Sequence, residues 1–496
     1  SIENKISPAE AMEILLEHVK EVFSWEIKET TGEECQLEDF NVVITVPASF
    51  DESARGFVYK AAQKVGLQKI SLLEEPQAAL YSWIGEKEKT WRKEVSPGDL
   101  LLVCDVGGGT SDFSLVCVGE EESCLKPERV SVGKHLLLGG DNMDYTLAYY
   151  LKQKLEKEKV TLDKWQYLSL VGQVRQAKES LFSQDDLEEV SLAMASKGSS
   201  LFAKTKSVVL KRSEVEKILV DGFFPIVASN DYPANASNNA LQDFGLVYET
   251  ETAITKHLAE FLAKSGENIR SSPALTELFK KYDINLKEGF IRPTAILFNG
   301  GVFKARPLKD KILNVLKSWG CEKLKELSGE ELDLAVSKGA TYFAKTRQTG
   351  KGIRIQAGTA RSYYLGIEST GIAIPGVPPE VKGLCIVPQG TEEGTKLKSP
   401  DKRFALLTGR EAEFRFFASH TRAGDSIGAE VGHADEILEE LPRMKVKLES
   451  DGDKMGMVPV VINSFVNDVG MLELSMKNIA NEQKWNLEFN VRKVEG

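Results

Sequence analysis

One stretch of the sequence decides the fold: Leu100-Leu-Leu-Val-Cys-Asp105-Val-Gly107-Gly108-Gly109-Thr110-Ser-Asp-Phe-Ser-Leu-Val-Cys-Val118. Two apolar runs rich in Val and Leu flank three consecutive glycines. Both runs are too short for a buried helix, so we predict two strands joined by a hairpin turn at the glycines. Glycine has no Cβ to keep a ligand away, and successive N–H groups in such a turn form an anion-binding concavity. The stretch therefore predicts either a phosphate-binding hairpin or a plain glycine-rich one.

Two polar side chains at this turn favour phosphate binding. Asp105 closes the first predicted strand, where its carboxylate can hold a metal ion through water. Thr110 follows the glycines, and its hydroxyl can hydrogen-bond a phosphoryl oxygen. The turn is not a Walker A loop, because no Lys-Ser/Thr pair follows the glycines.

Two more glycine turns follow apolar strands, at Leu138-Gly139-Gly140-Asp141 and at Phe298-Asn299-Gly300-Gly301. A single turn of this kind is weak support for a binding site. Three of them predict a cleft in which backbone amides from separate segments converge on a polyphosphate.

Composition restricts the class of protein. A chain of 496 residues predicts about three domains of roughly 150 residues each. Its 63 Lys and Arg against 74 Asp and Glu give a net charge of −11, so we expect neither nucleic acid nor a membrane as partner. The six cysteines form no Cys-x-x-Cys pair and the five histidines show no zinc-ligand spacing. We expect reduced thiols in a cytoplasmic protein.

The pattern along the chain predicts two domains and a connection between them. Residues 1–345 alternate strands with helices, beginning with a capping box at Ser7-Pro8-Ala-Glu10 that opens a helix to about Phe23. A polar connector is predicted at Thr90–Pro97, and an irregular insertion rich in Asn, Pro and Ala occupies 228–250. Residues 346–358 are polar and contain glycine, as a linker does. Beyond them, 359–496 show period-two alternation typical of an all-β module.

Seven segments of the first domain resemble, in order, the motifs of one protein family. They are Val43–Arg55 (family motif VTVPAYFND..R), Leu73–Ala79 (NEPTAAA), Asp105–Asp112 (DLGGGTFD), Leu138–Asp144 (LGGEDFD), Gln176–Leu181 (ERAKRTLS), Asn299–Lys304 (VGGSTRIP) and Leu332–Ala340 (DEAVAYGAA). The chain thus resembles the DnaK-type seventy-kilodalton heat-shock chaperones over residues 1 to about 345, most like a divergent bacterial branch. Arg361–Glu368 and Val387–Thr391 more loosely resemble the opening of the family's peptide-binding β-domain.

The resemblance implies an actin-like (ribonuclease H-like) α/β ATPase domain followed by an all-β, sandwich-like module that binds unfolded or extended peptide. ATP and Mg²⁺ would be the cofactors, and co-chaperones and a nucleotide exchange factor would be partners. The resemblance also implies the site residues, motif by motif. Glu75 would orient the attacking water, and Asp105 would bind Mg²⁺ through water. The phosphates would be held by Gly107, Gly108, Gly109 and Thr110, with Gly139 and Gly140 near the ribose and phosphates. The adenosine would be surrounded by Lys178, Gly300, Gly301 and Lys304, and nucleotide state would be coupled to the β-module by Pro47 and Arg55.

The sequence also departs from the family. Nothing precedes the Ser7-Pro8 helix, so the family's first phosphate loop has no counterpart, and we expect a truncated piece of an ATPase. The strand at Val42–Val46 then lacks its expected neighbours, which leaves an apolar edge. Arg175 stands where the family has Glu, and Lys304 stands where it has an adenine-stacking Arg.

Several alternatives stay open at this stage. Glu74 and Glu75 could form an exposed strand-end pair, and Lys178 could be a solvated surface lysine. The whole chain could be a pseudo-ATPase scaffold that binds a partner without catalysis, or an actin-like metabolite kinase, although a kinase has no need of a β-module. Within that module, candidate peptide-pocket residues lie in the strands around Leu406, Phe414 and Phe416, and alternation alone does not choose which face of the strands binds peptide.

Overall fold

The structure is a computed structural model, and it describes most of the chain. The described residues are 6–48, 50, 52–87, 90–121, 124–134, 136–194, 206–234, 249–271, 273–284, 289–327, 329, 331–350, 352–353, 355, 359, 361–368, 380–391, 395–398, 402–409, 411–419, 422, 424–447, 456–466, 472–481 and 483–488. The predicted insertion at 228–250 lies largely outside them.

The described helices are concentrated in the first 350 residues. They are α1 (Pro8–Thr31), α2 (Glu52–Lys64), α3 (Glu75–Glu86), α4 (Trp91–Glu94), α5 (Gly140–Lys157), α6 (Lys164–Ser183), α7 (Arg212–Val215), α8 (Asp221–Phe223), α9 (Ile254–Ser271), α10 (Pro273–Lys281), α11 (Arg306–Ser318), α12 (Ala335–Thr349) and α13 (Ala434–Ile437). A π-helical turn at Glu216–Val220 joins α7 to α8, and 3₁₀ turns occupy Leu37–Asp39 and Gly301–Lys304. None of the helices within the described ranges is long and apolar enough to cross a lipid bilayer.

The described strands fall into a first group before residue 330 and a second group after residue 360. The first group is β1 (Val42–Val46), β2 (Ile70–Glu74), β3 (Leu100–Val106), β4 (Ser111–Glu121), β5 (Cys124–Val132), β6 (Glu189–Met194), β7 (Lys206–Lys211), β8 (Ala295–Asn299) and β9 (Lys325–Leu327). The second group is β10 (Ser362–Glu368), β11 (Val381–Val387), β12 (Lys396–Lys398), β13 (Phe404–Thr408), β14 (Glu411–Ser419), β15 (Glu430–Val431), β16 (Glu439–Lys447), β17 (Gly456–Val466), β18 (Leu472–Asn478) and β19 (Lys484–Glu488).

The first domain is organised around a mixed five-stranded sheet in the order β5-β4-β3-β8-β9. Strands β3 and β4 form the antiparallel hairpin predicted at the glycines, with Asp105 directly opposite Asp112. Strand β8 runs parallel to β3, and Asn299 lies opposite Asp105 in that pairing. The register therefore brings two acids and an amide together where β3 ends.

Strand β3 is buried on both faces, which explains its continuous apolar sequence. Leu100, Leu102 and Cys104 enter one hydrophobic core, which also receives side chains of α5, α6, α9 and α11. Leu101 and Val103 point the other way, into a second core with α3 and α12. The central sheet therefore lies between two helical layers, and the end of β3 is held from both sides.

Helices α3 and α12 cross at very close range in the second core. A Cβ at Gly339 of α12 would overlap the backbone carbonyl of Ala78 in α3. Only glycine fits at this crossing, so α12 fixes the position of α3 on the central sheet.

A two-stranded parallel sheet, β1-β2, packs with α1 and α2 into a smaller core. The predicted strand at Val42–Val46 therefore has a neighbour on one side, and within the described residues no strand pairs with its other edge. Helix α1 starts with the predicted capping box at Ser7 and continues to Thr31, eight residues beyond the predicted end. Leu15, Val19 and Trp25 are more than half exposed on it.

The second group of strands forms two sheets that share one hydrophobic core, as the sandwich prediction requires. This core shows which way the three candidate pocket residues face. Leu406 and Phe416 are buried in it, at 6% and 1% exposure, and Phe414 packs against it. These side chains face the partner sheet, so they do not line a surface groove.

Two predicted connections differ from the structure. Helix α12 continues to Thr349, so the linker predicted at 346–358 begins later. Within that linker, Ile355 is buried in the second core and its N–H donates to Tyr81 Oη at 2.9 Å. The connector predicted at Thr90–Pro97 contains α4, because Trp91 is fully buried and anchors the segment. Apolar residues hidden in polar segments explain both errors.

The glycine contact between α3 and α12 can be tested by paired substitutions. We expect Gly339→Ala to destabilise the protein by about 1–3 kcal/mol or more, since a methyl group is forced against backbone. Gly172→Ala is the matched control, because this helical glycine of α6 has no atom within 4 Å of a built Cβ. It should be neutral or stabilise by up to about 1 kcal/mol. Thermal unfolding of both variants measures this, and equal effects would contradict it.

Candidate functional site

The glycine turn after β3 is closed against the start of α5. Gly107 N–H donates to the carbonyl of Thr110 at 2.9 Å, which tightens the turn. Gly140 N–H then donates to the Gly107 carbonyl at 3.0 Å, and Asp141 N–H to the Gly108 carbonyl at 2.6 Å. The turn and the helix therefore form one rigid backbone unit.

Gly139 occupies the tightest point of this unit. A Cβ at Gly139 would lie 2.7 Å from both the Gly107 and the Gly108 carbonyl oxygens and 2.8 Å from the Thr110 nitrogen. Real Cβ atoms do not approach backbone so closely, so no other residue fits without displacing the turn. Two of the three predicted glycine turns are thus in direct contact.

The third glycine turn lies on the other side of β3. Gly300 has φ +88°, in the region that favours glycine, and a Cβ there would overlap the Val106 carbonyl and lie 2.8 Å from Asp105 Oδ1. Asn299 Nδ2 donates to Asp105 Oδ2 at 2.8 Å. All three turns therefore meet around the end of β3, while Gly108 and Gly109 stay exposed at the tip.

Asp105 is the electrostatic centre of this cleft. It is 7% exposed, and burial raises its pKa to about 7 against the opposing effect of the Asn299 hydrogen bond. The nearby charges of Glu75 and Asp112 raise the pKa further. A cation would relieve this concentration of negative charge.

The residues fit Mg²⁺ bound largely through water and phosphate. Mg²⁺ in nucleotide sites keeps several waters and takes one or two carboxylates besides phosphate oxygens. Asp105 supplies a carboxylate, and the buried Asn299 Oδ1 has no hydrogen-bond partner within the described part of the chain. The described residues contain no group of three or more His, Cys, Asp or Glu arranged to hold a metal on their own.

Glu75 is half-buried as the first residue of α3, directly after β2. Its charge contributes to the raised pKa of Asp105, so the two carboxyl groups share the cleft. A carboxylate at this place can accept a hydrogen bond from a water beside a bound phosphate. The structure thus brings Glu75, which follows β2 of the other sheet, within electrostatic range of Asp105.

The predicted lysines near the adenosine position are both engaged in ion pairs. Lys178 Nζ lies 2.7 Å from Asp144 Oδ1 and 3.5 Å from the carbonyl of Gly140. Arg175 also binds Asp144, through Nε at 2.8 Å. Lys178 is thereby tied to the start of α5 and is not a solvated surface lysine.

Lys304 closes the 3₁₀ turn that follows Gly300, and its ammonium group pairs with Asp333 just before α12. Gly301 has no atom within 4 Å of a built Cβ. The assignments of Lys178, Lys304 and Gly301 to a nucleotide's adenosine stay predictions.

The two predicted coupling residues lie behind Glu75. Arg55 Nε donates to the Phe50 carbonyl at 3.1 Å, and Phe50 N–H donates to the Pro47 carbonyl at 3.1 Å. The Arg55 guanidinium also pairs with Glu74. Glu74 is buried at 5% exposure, so the interpretation of Glu74 as an exposed strand-end acid is wrong.

Sequence reasoning missed four polar residues that build the site: Asn299, Asp112, Asp144 and Arg129. Asn299 and Asp112 follow from strand register, since each lies opposite Asp105. Asp144 comes one helical turn after Gly140, a spacing that places it beside the turn. Arg129 lies in a strand of mixed polar and apolar residues with no local signal, and only tertiary structure shows that it binds Glu74.

This arrangement of backbone amides, a carboxylate cluster and flanking cations is suited to binding a polyphosphate with a divalent cation. The family model described as "Hsp70 protein" matches residues 2–232.

Relatives that match the chain are similarly described. A "Chaperone protein HscA homolog" of Rickettsia bellii is 34% identical over 188 residues, which is 38% of this chain and 28% of the relative. A protein of the same description from Acinetobacter baumannii (strain AYE) is 32% identical over 163 residues, 33% of this chain and 25% of the relative. The match thus spans about a quarter of the length of these curated relatives.

The buried carboxyl of Asp105 makes stability depend on pH. Its pKa is about 7 in the folded protein and about 3.9 in an unfolded chain, so the folded state binds the proton more tightly. Stability therefore falls as the pH rises from about 4 to 7. We expect Asp105→Asn, which cannot ionise, to raise the melting temperature of the ligand-free protein by several degrees at pH 8 and to have little effect at pH 4.

Thermal unfolding across this pH range measures the effect. Asp310→Asn is the control, because Asp310 is exposed on α11 and makes only a 3.8 Å contact with Arg306. If Asp105→Asn and the parent differ by the same amount at both pH values, the assignment of a raised pKa to Asp105 is wrong.

Proposed function

We propose that this chain forms the nucleotide-binding and peptide-binding parts of an ATP-dependent chaperone of the Hsp70 type, as the family-model match over residues 2–232 supports. The resemblance gives the first domain an actin-like ATPase fold. The observation that carries the proposal is the meeting of three glycine turns around Asp105, which the phosphates of ATP or ADP would occupy.

The residues of the cleft divide the work of phosphoryl transfer. The exposed N–H groups of Gly108 and Gly109 and the hydroxyl of Thr110 bind phosphate oxygens. Asp105, with Asn299 beside it, would hold Mg²⁺ through water, and the ion would neutralise phosphate charge. Glu75 orients the attacking water. Catalysis of this kind needs positioning and electrostatic stabilisation, with little covalent chemistry from the protein.

The remaining contacts select the nucleoside. Gly139 and Gly140 lie where the start of α5 approaches the phosphates and ribose. Lys178 and the Gly300–Lys304 turn frame the adenosine. The ion pairs of Lys178 with Asp144 and of Lys304 with Asp333 hold both ammonium groups in place before nucleotide arrives. Lys304 stands in place of the family's arginine. Its ammonium group is a point charge, whereas the planar guanidinium group of an arginine can stack on the adenine ring.

Coupling to the β-module follows two contacts in this proposal. Arg55 connects the Pro47 turn to Glu74, the residue before Glu75. A change in the position of Glu75 at the phosphates would therefore be transmitted to the Pro47 turn. Ile355 binds Tyr81 of α3 through its backbone N–H, so the connection to the β-module touches the same helix. The β-module would bind extended peptide by backbone pairing. The proposed partners also include co-chaperones and a nucleotide exchange factor, and the proposed location is the cytoplasm.

Substitution of Glu75 tests catalysis separately from binding. In the natural protein that contains this sequence, we expect Glu75→Gln to leave the Mg-ATP affinity within about threefold and to reduce single-turnover hydrolysis by about 10²-fold or more. Calorimetry and rapid-quench kinetics measure the two quantities. Glu86→Gln, at the far end of the same helix, is the control.

The outcomes separate the two main functions. Retained ATP binding with lost turnover supports the ATPase. Unchanged partner binding and no hydrolysis in either parent or variant would favour the non-catalytic scaffold and contradict the proposal.

A further inference from the structure

Glu74 is clamped by two arginines that come from different parts of the fold. Its Oε1 accepts a hydrogen bond from Arg55 of α2, and its Oε2 accepts one from Arg129 of β5. Gln77 Nε2, from the first turn of α3, donates to Oε2 at 3.2 Å. The side chains of Glu74, Arg55 and Arg129 are 6%, 10% and 6% exposed, so all three charges are buried.

Arg129 is the partner that links separate sheets. Glu74 ends β2 of the two-stranded sheet, whereas Arg129 lies on β5, the outer strand of the five-stranded sheet. The pair between them is a buried ionic contact across the two sheets. The Arg55 contact stays within the smaller unit, because α2 packs with β1 and β2 in one core.

The position of Glu74 in the chain gives the clamp its significance. The next residue is Glu75, which begins α3 and whose charge acts on Asp105. One peptide unit separates the clamped carboxylate from the carboxylate proposed to orient water. The backbone entering α3 cannot shift without pulling Glu74 away from both guanidinium groups.

We propose that Arg129 and Arg55 are positioning residues, which hold Glu74 so that Glu75 is fixed over the glycine turns. The catalytic role of Glu75 in this inference rests on the proposed function, whereas the clamp itself does not. A neutral side chain at residue 74 could not satisfy two buried guanidinium groups, and the quoted family motif NEPTAAA has Asn at this place. The clamp is thus a feature of this chain's own sequence.

A buried ion pair is weak support for a stabilising role, because desolvation offsets much of the attraction. What it provides is geometry: two arginines bind the two oxygens of one carboxylate from defined directions. Removing either partner of Glu74 leaves a buried charge less well satisfied, and the local structure must relax. Relaxation should appear first at the start of α3.

Hydrogen exchange on the full chain tests the clamp without any need for hydrolysis. The readout is the amides of Ala79, Leu80 and Tyr81, which bond to the carbonyls of the first turn of α3. We expect Arg129→Gln to raise their exchange rates at least tenfold, with the β-module unchanged, and Arg129→Lys to restore part of the protection. Lys134→Gln is the control, since Lys134 is an exposed cation just beyond β5 with only a 3.9 Å contact to Glu260.

A double substitution separates positioning from general stability. Glu74→Gln alone removes the carboxylate that the two buried guanidinium groups share, so we expect its exchange effect to exceed that of Glu74→Gln/Arg129→Gln. Additive effects, or an unchanged α3 in Arg129→Gln, would overturn the clamp. A uniform rise in exchange over the two-stranded and five-stranded sheets would show that the Arg129–Glu74 pair contributes to general stability only, and would overturn its positioning role.

Kinetics then test the effect on Glu75. In the natural protein, Arg129→Gln should lower single-turnover ATP hydrolysis at least tenfold while the Mg-ATP dissociation constant stays within threefold. Loosened α3 with unchanged hydrolysis would overturn the positioning role. A parent that neither binds nor hydrolyses ATP would instead refute the proposed function, and the exchange data would still decide the clamp.

Discussion

The close approach of backbone to backbone around the end of β3 is the constraint on which the cleft depends. Gly139 touches two carbonyls of the Gly107–Gly109 turn, and Gly300 touches the backbone of β3 from the opposite side. Side chains cannot hold three turns so near one another, because each Cβ would occupy the space needed. The central sheet holds these glycine turns in place, because β3 is buried between two helical layers. A rigid scaffold therefore presents N–H groups at one place.

This geometry also concentrates negative charge. Asp105 is buried beside Asp112 and Glu75, and its pKa is raised to about 7 as a consequence. Such an arrangement is costly for stability alone and is typical of sites that bind a charged ligand. The cations of the region, Lys178, Lys304, Arg55 and Arg129, are held by their own acids a short distance away. The cleft centre is left acidic, as a cation-dependent phosphate site requires.

Much of this could be predicted from sequence because the signals are local. The hairpin follows from two short apolar runs and three glycines, and the capping box of α1 follows from Ser7 and Glu10. Contacts between distant segments left no such signal. The pairing of Arg129 with Glu74 joins residues 55 positions apart, and the buried side of Phe416 depends on which sheet packs over it. Alternation shows that a strand has two faces but does not say which one is covered.

In the proposed function, the glycine turns form a nucleotide site whose affinity depends on Mg²⁺. Calorimetric titration of ADP into the protein, with and without Mg²⁺, tests it most directly, with Gly139→Ala as the comparison. We expect saturable one-to-one binding that Mg²⁺ strengthens at least tenfold and that Gly139→Ala abolishes while the protein remains folded. Binding that is absent in the parent, indifferent to Mg²⁺ or equal in the variant would contradict the claim.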